Sequence, residues 1–218
     1  MSLVERINDA LPQTQCTRCG YPDCHSYAQA IASAQARINQ CPPGGVEGVA
    51  RLAAITGHTI EDLNPDNGFE GPRTIAIIDE AWCIGCTLCI KVCPTDAIVG
   101  ANKRMHTVIE DHCTGCELCI PACPVDCIAL EPIDLNVSGW AAWPQELADN
   151  ARQRYDWHKE RLARDEAEHS QRLQAKAVAK LADLPAHTKG AEEPTEAARK
   201  RAVIEAALAK AKSRASAQ

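Results

Sequence analysis

Residues 83–98 read CIGCTLCIKVCPTDAI, and residues 113–128 read CTGCELCIPACPVDCI. The two stretches begin 30 positions apart and share 10 of 16 residues, so the chain contains an internal repeat. Each copy follows a β-like stretch that ends in acidic residues, TIAIIDE at 74–80 and MHTVIED at 105–111. The repeat therefore predicts two similar half-units that pack together, because each is too small to be stable alone.

Each copy spaces its cysteines as C-x2-C-x2-C-x3-C-P, which is the ligand spacing of two-cluster bacterial ferredoxins. Gly85 and Gly115 relax the backbone so that three thiolates face one cluster, while the fourth cysteine crosses to the other cluster. Zinc is the alternative, but zinc ligand pairs are usually separated by a longer spacer. The pattern predicts two [4Fe–4S] clusters, one held by Cys83, Cys86, Cys89 and Cys123, the other by Cys113, Cys116, Cys119 and Cys93.

Four further cysteines form an N-terminal group with the spacing C-x2-C-x4-C-x16-C. The segment between Cys24 and Cys41 has near-helical apolar spacing, and a helix there would return the chain so that Cys41 meets the other three. Spacing alone suits zinc equally well, and redox-active thiols are a third alternative. The adjoining ferredoxin pattern favours a third [4Fe–4S] cluster, held by Cys16, Cys19, Cys24 and Cys41.

Composition agrees with a metal-stabilised protein of the cytoplasm. The chain has 218 residues, a net charge of −6 and only 4% aromatic residues, so a large apolar core is hard to build. Its 13 cysteines all lie between positions 16 and 127. The first thirty residues lack the pattern of a secretory signal, and we find no apolar run of about 18 residues. In the reducing cytoplasm, clustered cysteines are read as metal ligands before disulfides.

Charge divides the chain into an acidic, cysteine-rich body and a basic, cysteine-free tail. Residues 1–148 carry 8 basic and 18 acidic residues, whereas residues 149–218 carry 15 and 11. An acidic body is expected to attract basic docking faces of partners. We predict an α+β fold in four parts: an N-terminal four-cysteine domain at 1–57, a linker at 58–72, a ferredoxin-type domain at 73–134 and a charged helical tail at 135–218.

The tail is predicted to contain two long, solvated helices. One covers 145–182, with Pro185 after its end, and the second runs from about 195 to 213, with Pro194 suited to its first turn. Its apolar residues are too sparse for a coiled-coil seam. The tail's excess positive charge suggests a docking arm for a partner or for anionic lipid. Its charges alternate in sign and lack interleaved aromatics, so we expect no nucleic-acid binding.

Three segments carry a resemblance to a known family: LPQTQCTRCGYPDC at 11–24, INQCPPGG at 38–45 and GANKRMHTVIEDHCTGCELC at 100–119. They resemble the B subunit of the bacterial Rnf/Rsx electron-transport complex, and the likeness covers about residues 3–132. The resemblance implies electron relay among flavoprotein or membrane redox subunits at the cytoplasmic membrane face. Members of that family begin with a transmembrane anchor, whereas this chain starts directly in the four-cysteine domain. We therefore expect a soluble, ferredoxin-like relative.

These observations together predict an electron carrier with three [4Fe–4S] clusters rather than an enzyme, since no catalytic arrangement of side chains is present. The alternatives are a peripheral subunit of a membrane ion-translocating or reductase complex at the inner membrane, and an iron–sulfur redox sensor. The thirteenth cysteine, Cys127, is expected to be a small buried residue near a cluster. His106 and His112 are expected to be half-exposed, with hydrogen bonding to cluster sulfur as the alternative.

Overall fold

The computed structural model describes residues 1–182 and 194–215 and divides the chain into two compact units, Met1–His158 and Lys159–Gln218. The protein mixes helices with two small antiparallel sheets. The helices are α1 Leu3–Asp9, α2 Cys24–Ala32, α3 Gly45–Thr56, α4 Leu88–Val92, α5 Gly139–Ala142, α6 Gln145–Ala182 and α7 Pro194–Ala215. The strands are β1 Thr74–Ile78, β2 Ile98–Val99, β3 Thr107–Val108 and β4 Ile128–Pro132.

The N-terminal domain packs α1, α2 and α3 around one apolar core. Ser2 and Glu5 form a reciprocal capping box at the start of α1, and Asp23 accepts the N–H of Ser26 at 2.6 Å at the start of α2. These caps fix where the helices begin and therefore which side chains face inward. The core consists of Ile7, Leu11, Tyr27, Ala28, Ile31, Ile38, Val49, Leu52 and Ala53, with Cys19 and Cys24 at its edge.

The helix expected between Cys24 and Cys41 is shorter than the sequence predicts. It ends at Ala32, because Ala34 takes a left-handed conformation with φ of +57° and the chain turns there. The spacing of Val49, Leu52 and Ala53 predicts a further helix that ends at Gly57. The structure confirms it as α3, and Gly57 ends it in the left-handed conformation.

Residues 58–72 run along the N-terminal domain and are tied to it by polar contacts. The backbone N–H of Asn64 donates to the carbonyl oxygen of Asn39 at 2.9 Å. The side-chain amide of Asn67 donates to the carbonyl oxygen of Arg18 at 2.8 Å. A short 3-10 helix, Pro65–Asn67, lies between these anchors.

The two sheets show how the halves of the repeat intertwine. β1, before the first ligand loop, pairs with β4, after the second, from Thr74↔Pro132 to Ile78↔Ile128. β2, after the first loop, pairs with β3, before the second. The β-like stretch expected at 105–111 forms only the short β3, because a 3-10 helix follows at Glu110–His112. Each sheet thus contains one strand from the first half of the repeat and one from the second, so neither half has a sheet of its own.

A segment that we call the strap, residues 138–158, extends the first compact unit well beyond residue 134. It contains α5 and the first part of α6, and its Trp140, Trp143, Ala148 and Ala151 are buried. The indole N–H of Trp143 donates to the carbonyl oxygen of Pro12 at 2.7 Å. Arg154 donates to the carbonyl oxygen of Thr95 at 2.8 Å. The strap therefore binds to both the N-terminal domain and the ferredoxin half.

The second unit is helical over its described residues. The helix predicted at 145–182 is confirmed as α6, and the one predicted from about 195 is confirmed as α7 with Pro194 as its first residue. Arg161 and Asp165 form an ion pair one turn apart on α6. Pro185, expected after the end of α6, lies outside the described residues. Among the described helices, none combines the length and apolar character needed to cross a membrane.

Candidate iron–sulfur sites

The four N-terminal cysteines line one small cavity, which we call the N-terminal site. Cys24 begins α2, where the side-chain carbonyl of Gln15 accepts its backbone N–H at 2.9 Å, and Cys41 precedes the 3-10 helix Pro42–Gly44. The loop before Cys19 is tightly turned, with left-handed conformations at Gln13, Gln15 and Thr17. The cavity wall contains Cys16, Cys19, Cys24 and Cys41 together with Thr14, Asp23 and Tyr27.

Burial makes these thiols poor acids in the absence of a positive partner. It raises the pKa of Cys24 to about 12, and it also raises the pKa of Cys19 and of Cys41, with neighbouring cysteines adding to each shift. Deprotonating several such thiols in one cavity requires a positively charged metal core to compensate their charge. The donor set therefore suits an iron–sulfur cluster.

A second cavity brings together cysteines from both halves of the repeat, and we call it the second-loop site. Its wall contains Cys113, Cys116, Cys119 and, from the other half, Cys93. The N–H of Ala97 donates to Cys93 Sγ at 3.2 Å, and the N–H of Ala76 to Cys113 Sγ at 3.4 Å. Such bonds favour the thiolate, as a metal ligand requires. Burial raises the pKa of Cys116 to about 11 and that of Cys119 to about 12.

Four of the five remaining cysteines, Cys83, Cys86, Cys89 and Cys123, are the predicted ligands of what we call the first-loop site. Burial raises the pKa of Cys89, and the nearby thiols of Cys86 and Cys83 add to the shift. Burial also acts to raise the pKa of Cys123, but hydrogen bonds from the N–H groups of Val125 and Cys127 outweigh it and leave that pKa below its ordinary value. Backbone donors are therefore already directed at this sulfur.

Cys127 lies beside the first-loop site. Its Sγ is 3.4 Å from Cys123 Sγ, and burial together with Cys123 and Cys83 raises its pKa to about 12. It is partly buried rather than fully buried. All thirteen cysteines lie within residues 1–182, and none forms a disulfide.

His106 is buried, in contrast to the half-exposed position expected from the sequence. It is 1% exposed, and its Nδ1 lies 3.2 Å from Cys89 Sγ. The ring is therefore placed to hydrogen-bond a ligand sulfur, which was the alternative interpretation of this residue. Periodicity could not reveal this, because His106 lies in the irregular segment directly before β3. His112 is half-buried as expected, and burial together with Arg154 lowers its pKa.

The N-terminal domain contacts the ferredoxin half beside predicted ligands. Thr114, next to Cys113, donates its hydroxyl to the carbonyl oxygen of Thr14 at 3.0 Å. Arg18, next to Cys19, pairs with Glu117. The N-terminal and second-loop sites therefore face each other across a polar interface. Within residues 1–182 and 194–215, no three cysteine, histidine or carboxylate side chains converge as a single metal ion requires.

Two protein-family models match the two cysteine-rich regions. Residues 76–130 match a family described as "4Fe-4S dicluster domain". Residues 11–43 match a family described as "Putative Fe-S cluster". The matches cover all twelve predicted ligands and support iron–sulfur clusters in this protein.

Three of the curated proteins similar to this chain illustrate the likeness, and each is named as the B subunit of an ion-translocating oxidoreductase complex. The protein of Azoarcus sp. (strain BH72) is 60% identical over 138 residues, which are 63% of this chain and 75% of that protein. The protein of Thiobacillus denitrificans is 56% identical over 138 residues, 63% and 73% of the two chains. The protein of Alkalilimnicola ehrlichii is 52% identical over 152 residues, 69% and 81% of the two chains.

Proposed function

The chain belongs to the family of B subunits of the ion-translocating oxidoreductase complex, and from that membership we propose that it relays single electrons through three [4Fe–4S] clusters. The family and the dicluster domain identify the protein as an iron–sulfur electron-transfer subunit. The count of three is the proposal. The observation that carries it is that four cysteines line the N-terminal cavity, in addition to the eight predicted ligands that lie within the dicluster match at 76–130.

When bound, a [4Fe–4S] cluster supplies a one-electron change of oxidation state. The protein's part is to hold the ligand sulfurs, to shield them from water and to direct N–H groups at them. Ala76, Ala97 and the backbone around Val125 provide such donors in the ferredoxin half. Donors fixed in advance stabilise added negative charge without rearrangement, which keeps electron transfer fast.

The contacts between domains support an order for the relay. The N-terminal site adjoins the second-loop site through the pairs Thr14–Thr114 and Arg18–Glu117. The second-loop site in turn shares the intertwined ferredoxin half with the first-loop site. We therefore place the second-loop site in the middle of the relay, with the N-terminal and first-loop sites at its two ends.

The relatives' names favour an alternative in which the protein works as a subunit of a membrane-associated complex. In that case the protein partners are flavoprotein or membrane redox subunits, and the chain associates peripherally with the cytoplasmic face of the inner membrane. The basic tail is the proposed docking arm. A truncation that tests this arm must end after His158, because the strap is part of the first compact unit. Unchanged partitioning of the truncated chain onto anionic vesicles at low salt would exclude the arm.

The test of the three-cluster proposal is iron and acid-labile sulfide per chain, measured on anaerobically purified protein, with EPR after dithionite reduction. About 12 iron and 12 sulfide atoms with interacting reduced-cluster signals are expected for three cubanes. About 8 of each with one zinc would instead make the N-terminal site structural. Protein that contains no iron after anaerobic purification and reconstitution would refute the proposal altogether.

A further inference from the structure

The two ligand loops of the ferredoxin half are built alike, so their surroundings can be compared position by position. Gly85 and Gly115 occupy the same place in the loops and have φ of +67° and +65°. A Cβ atom on Gly115 would lie 2.5 Å from the carbonyl oxygen of Thr74, and one on Gly85 would lie 2.5 Å from that of Arg104. Each loop is thus overlaid by the segment that leads into the other half's first strand.

The second loop is covered by other parts of the chain. Thr114 is 7% exposed and bonds to Thr14 of the N-terminal domain. Glu117 pairs with Arg18 of the same domain. On this face the N-terminal domain, which contains its own four-cysteine site, already packs against the ferredoxin half.

The equivalent positions around the first loop are exposed. Ile84 stands where the second loop has Thr114 and is 58% exposed, and Trp82, just before the first cysteine, is 70% exposed. Arg73 is half-buried, with its guanidinium 4.7 Å from the centre of the Trp143 ring, whereas its counterpart Lys103 is exposed. The part of the chain that the structure describes therefore covers one of two similar faces and leaves the other open.

We propose that this open face docks an acidic redox protein, which exchanges one electron with the first-loop site. We call it the first-loop face, and it is formed by Trp82, Ile84, Leu88, Lys103, Arg104 and Met105. The proposal rests on the function proposed above. One electron leaves the donor and is gained by the acceptor, and no bond is made or broken. Exposed aromatic and apolar residues with arginine are typical of protein interfaces.

The charge of the first-loop face determines the chemistry of its partner. In the second loop Glu117 receives an arginine of the docked domain, but the first loop has the uncharged Thr87 at that position. The overlying turn instead supplies Lys103 and Arg104, both exposed, and the backbone N–H of Lys103 bonds to the carbonyl oxygen of Gly85 at 2.9 Å. A positive rim around an apolar centre attracts an acidic partner.

Nearby charges modify this picture without reversing it. Lys91 on α4 is exposed and adds to the positive side. Asp79 and Glu80 lie before Trp82, and Asp79 accepts the N–H of Ala81 at 2.9 Å. The rest of the body is acidic, so an acidic partner is repelled elsewhere and is directed to this face.

The experiment measures electron transfer from the dithionite-reduced, cluster-loaded full chain to two probes by stopped flow. The probes are an acidic flavodoxin and the basic cytochrome c. The test variant is K103E/R104E, and R104Q is a milder second variant. The control is R6E/R37E, which makes the same charge change on exposed residues of the N-terminal domain. Iron content and EPR signals are checked in every variant.

We expect K103E/R104E to slow transfer to flavodoxin about tenfold at low salt and to remove its salt dependence, because on-rates between opposite charges are steered electrostatically. R104Q should slow it less, the control should leave it unchanged, and cytochrome c should react at least as fast as before.

Wild-type rates in K103E/R104E, or equal slowing with both probes, would overturn the proposal. So would a dimer of this chain that K103E/R104E dissociates, because the occupant would then be a second copy. A chain that takes up no electrons from dithionite overturns the proposed function itself, whereas normal uptake without a charge effect overturns the docking face alone.

Discussion

The N-terminal domain and the ferredoxin half present their cysteines in different ways. The four cysteines of the N-terminal site come from one stretch of chain, residues 16–41, and line a cavity within a single domain. The second-loop site takes Cys93 from the first half of the repeat and three cysteines from the second. A site built from one segment can form or be lost alone. A site shared between two halves links them, so a change that damages one half also affects the other.

The largest effect is expected when the cysteine that one half contributes to the other half's site is removed. Cys93→Ala is expected to remove the same EPR signal and the same roughly 4 iron atoms as Cys116→Ala, because both thiols line one cavity. Cys86→Ala should remove a different signal, and Cys24→Ala should leave both ferredoxin signals in place. If the spectrum of Cys93→Ala matched that of Cys86→Ala instead, the two sites would not exchange a cysteine.

The next effect should come from loosening the strap that joins the two regions. Trp143→Ala removes a buried indole, its bond to Pro12 and its contact with Arg73, at a cost of about 3 kcal/mol in the free energy of unfolding. We expect a lower guanidinium midpoint and faster bleaching of the cluster absorbance. Trp143→Phe keeps the ring and loses the N–H, so it should cost about 1 kcal/mol. Equal stability of Trp143→Ala and the wild type would show that the strap does not hold the domains together.

A smaller effect should appear in the potential of the first-loop site. His106→Gln is expected to weaken the hydrogen bond to Cys89 Sγ and to lower the reduction potential of that site. A loss of about 1 kcal/mol corresponds to about 40 mV for one electron. EPR-monitored redox titration measures it, and the N-terminal site serves as the internal reference. If all sites shifted equally, the effect would be a general one on folding.

The smallest effect should come from Cys127. Cys127→Ala keeps a small side chain beside Cys123 and should leave iron content and EPR signals unchanged, because the four predicted ligands of the first-loop site remain. Loss of about 4 iron atoms in this variant would make Cys127 a ligand and would require a different assignment of that site.

The sequence predicted most of what depends on local pattern. Periodicity and glycine placement predicted the long α6, the helix ended by Gly57 and the strand before the first ligand loop. The cysteine spacing predicted which thiols belong together, and that assignment stays a prediction until the variants above are measured. Helix α2 is shorter than predicted because the turn at Ala34 depends on packing rather than on propensity.

What could not be predicted depends on contacts between distant residues. Trp140 and Trp143 stand in a stretch without clear periodicity, so nothing in the sequence showed that the strap covers the N-terminal domain. His106 likewise gained its position from tertiary packing beside Cys89. Single polar contacts such as Thr114 to Thr14 join residues 100 positions apart and leave no local signal.

The sharing of cysteines between the two halves also has a consequence for synthesis on the ribosome. The N-terminal site has all its predicted ligands once residue 41 has left the exit tunnel, whereas the first-loop site lacks one until residue 123 emerges. Residue 123 is 82 residues after residue 41, from 123 minus 41. At a synthesis rate of about 5–20 residues per second, it emerges about 4–16 s later. The three thiols of the first ligand loop have all emerged at residue 89, so they lack their fourth partner for the last 34 residues of that interval, from 123 minus 89. Delivery of iron and sulfide to the nascent chain is thus expected in two stages, one for the N-terminal domain and one for the completed ferredoxin half.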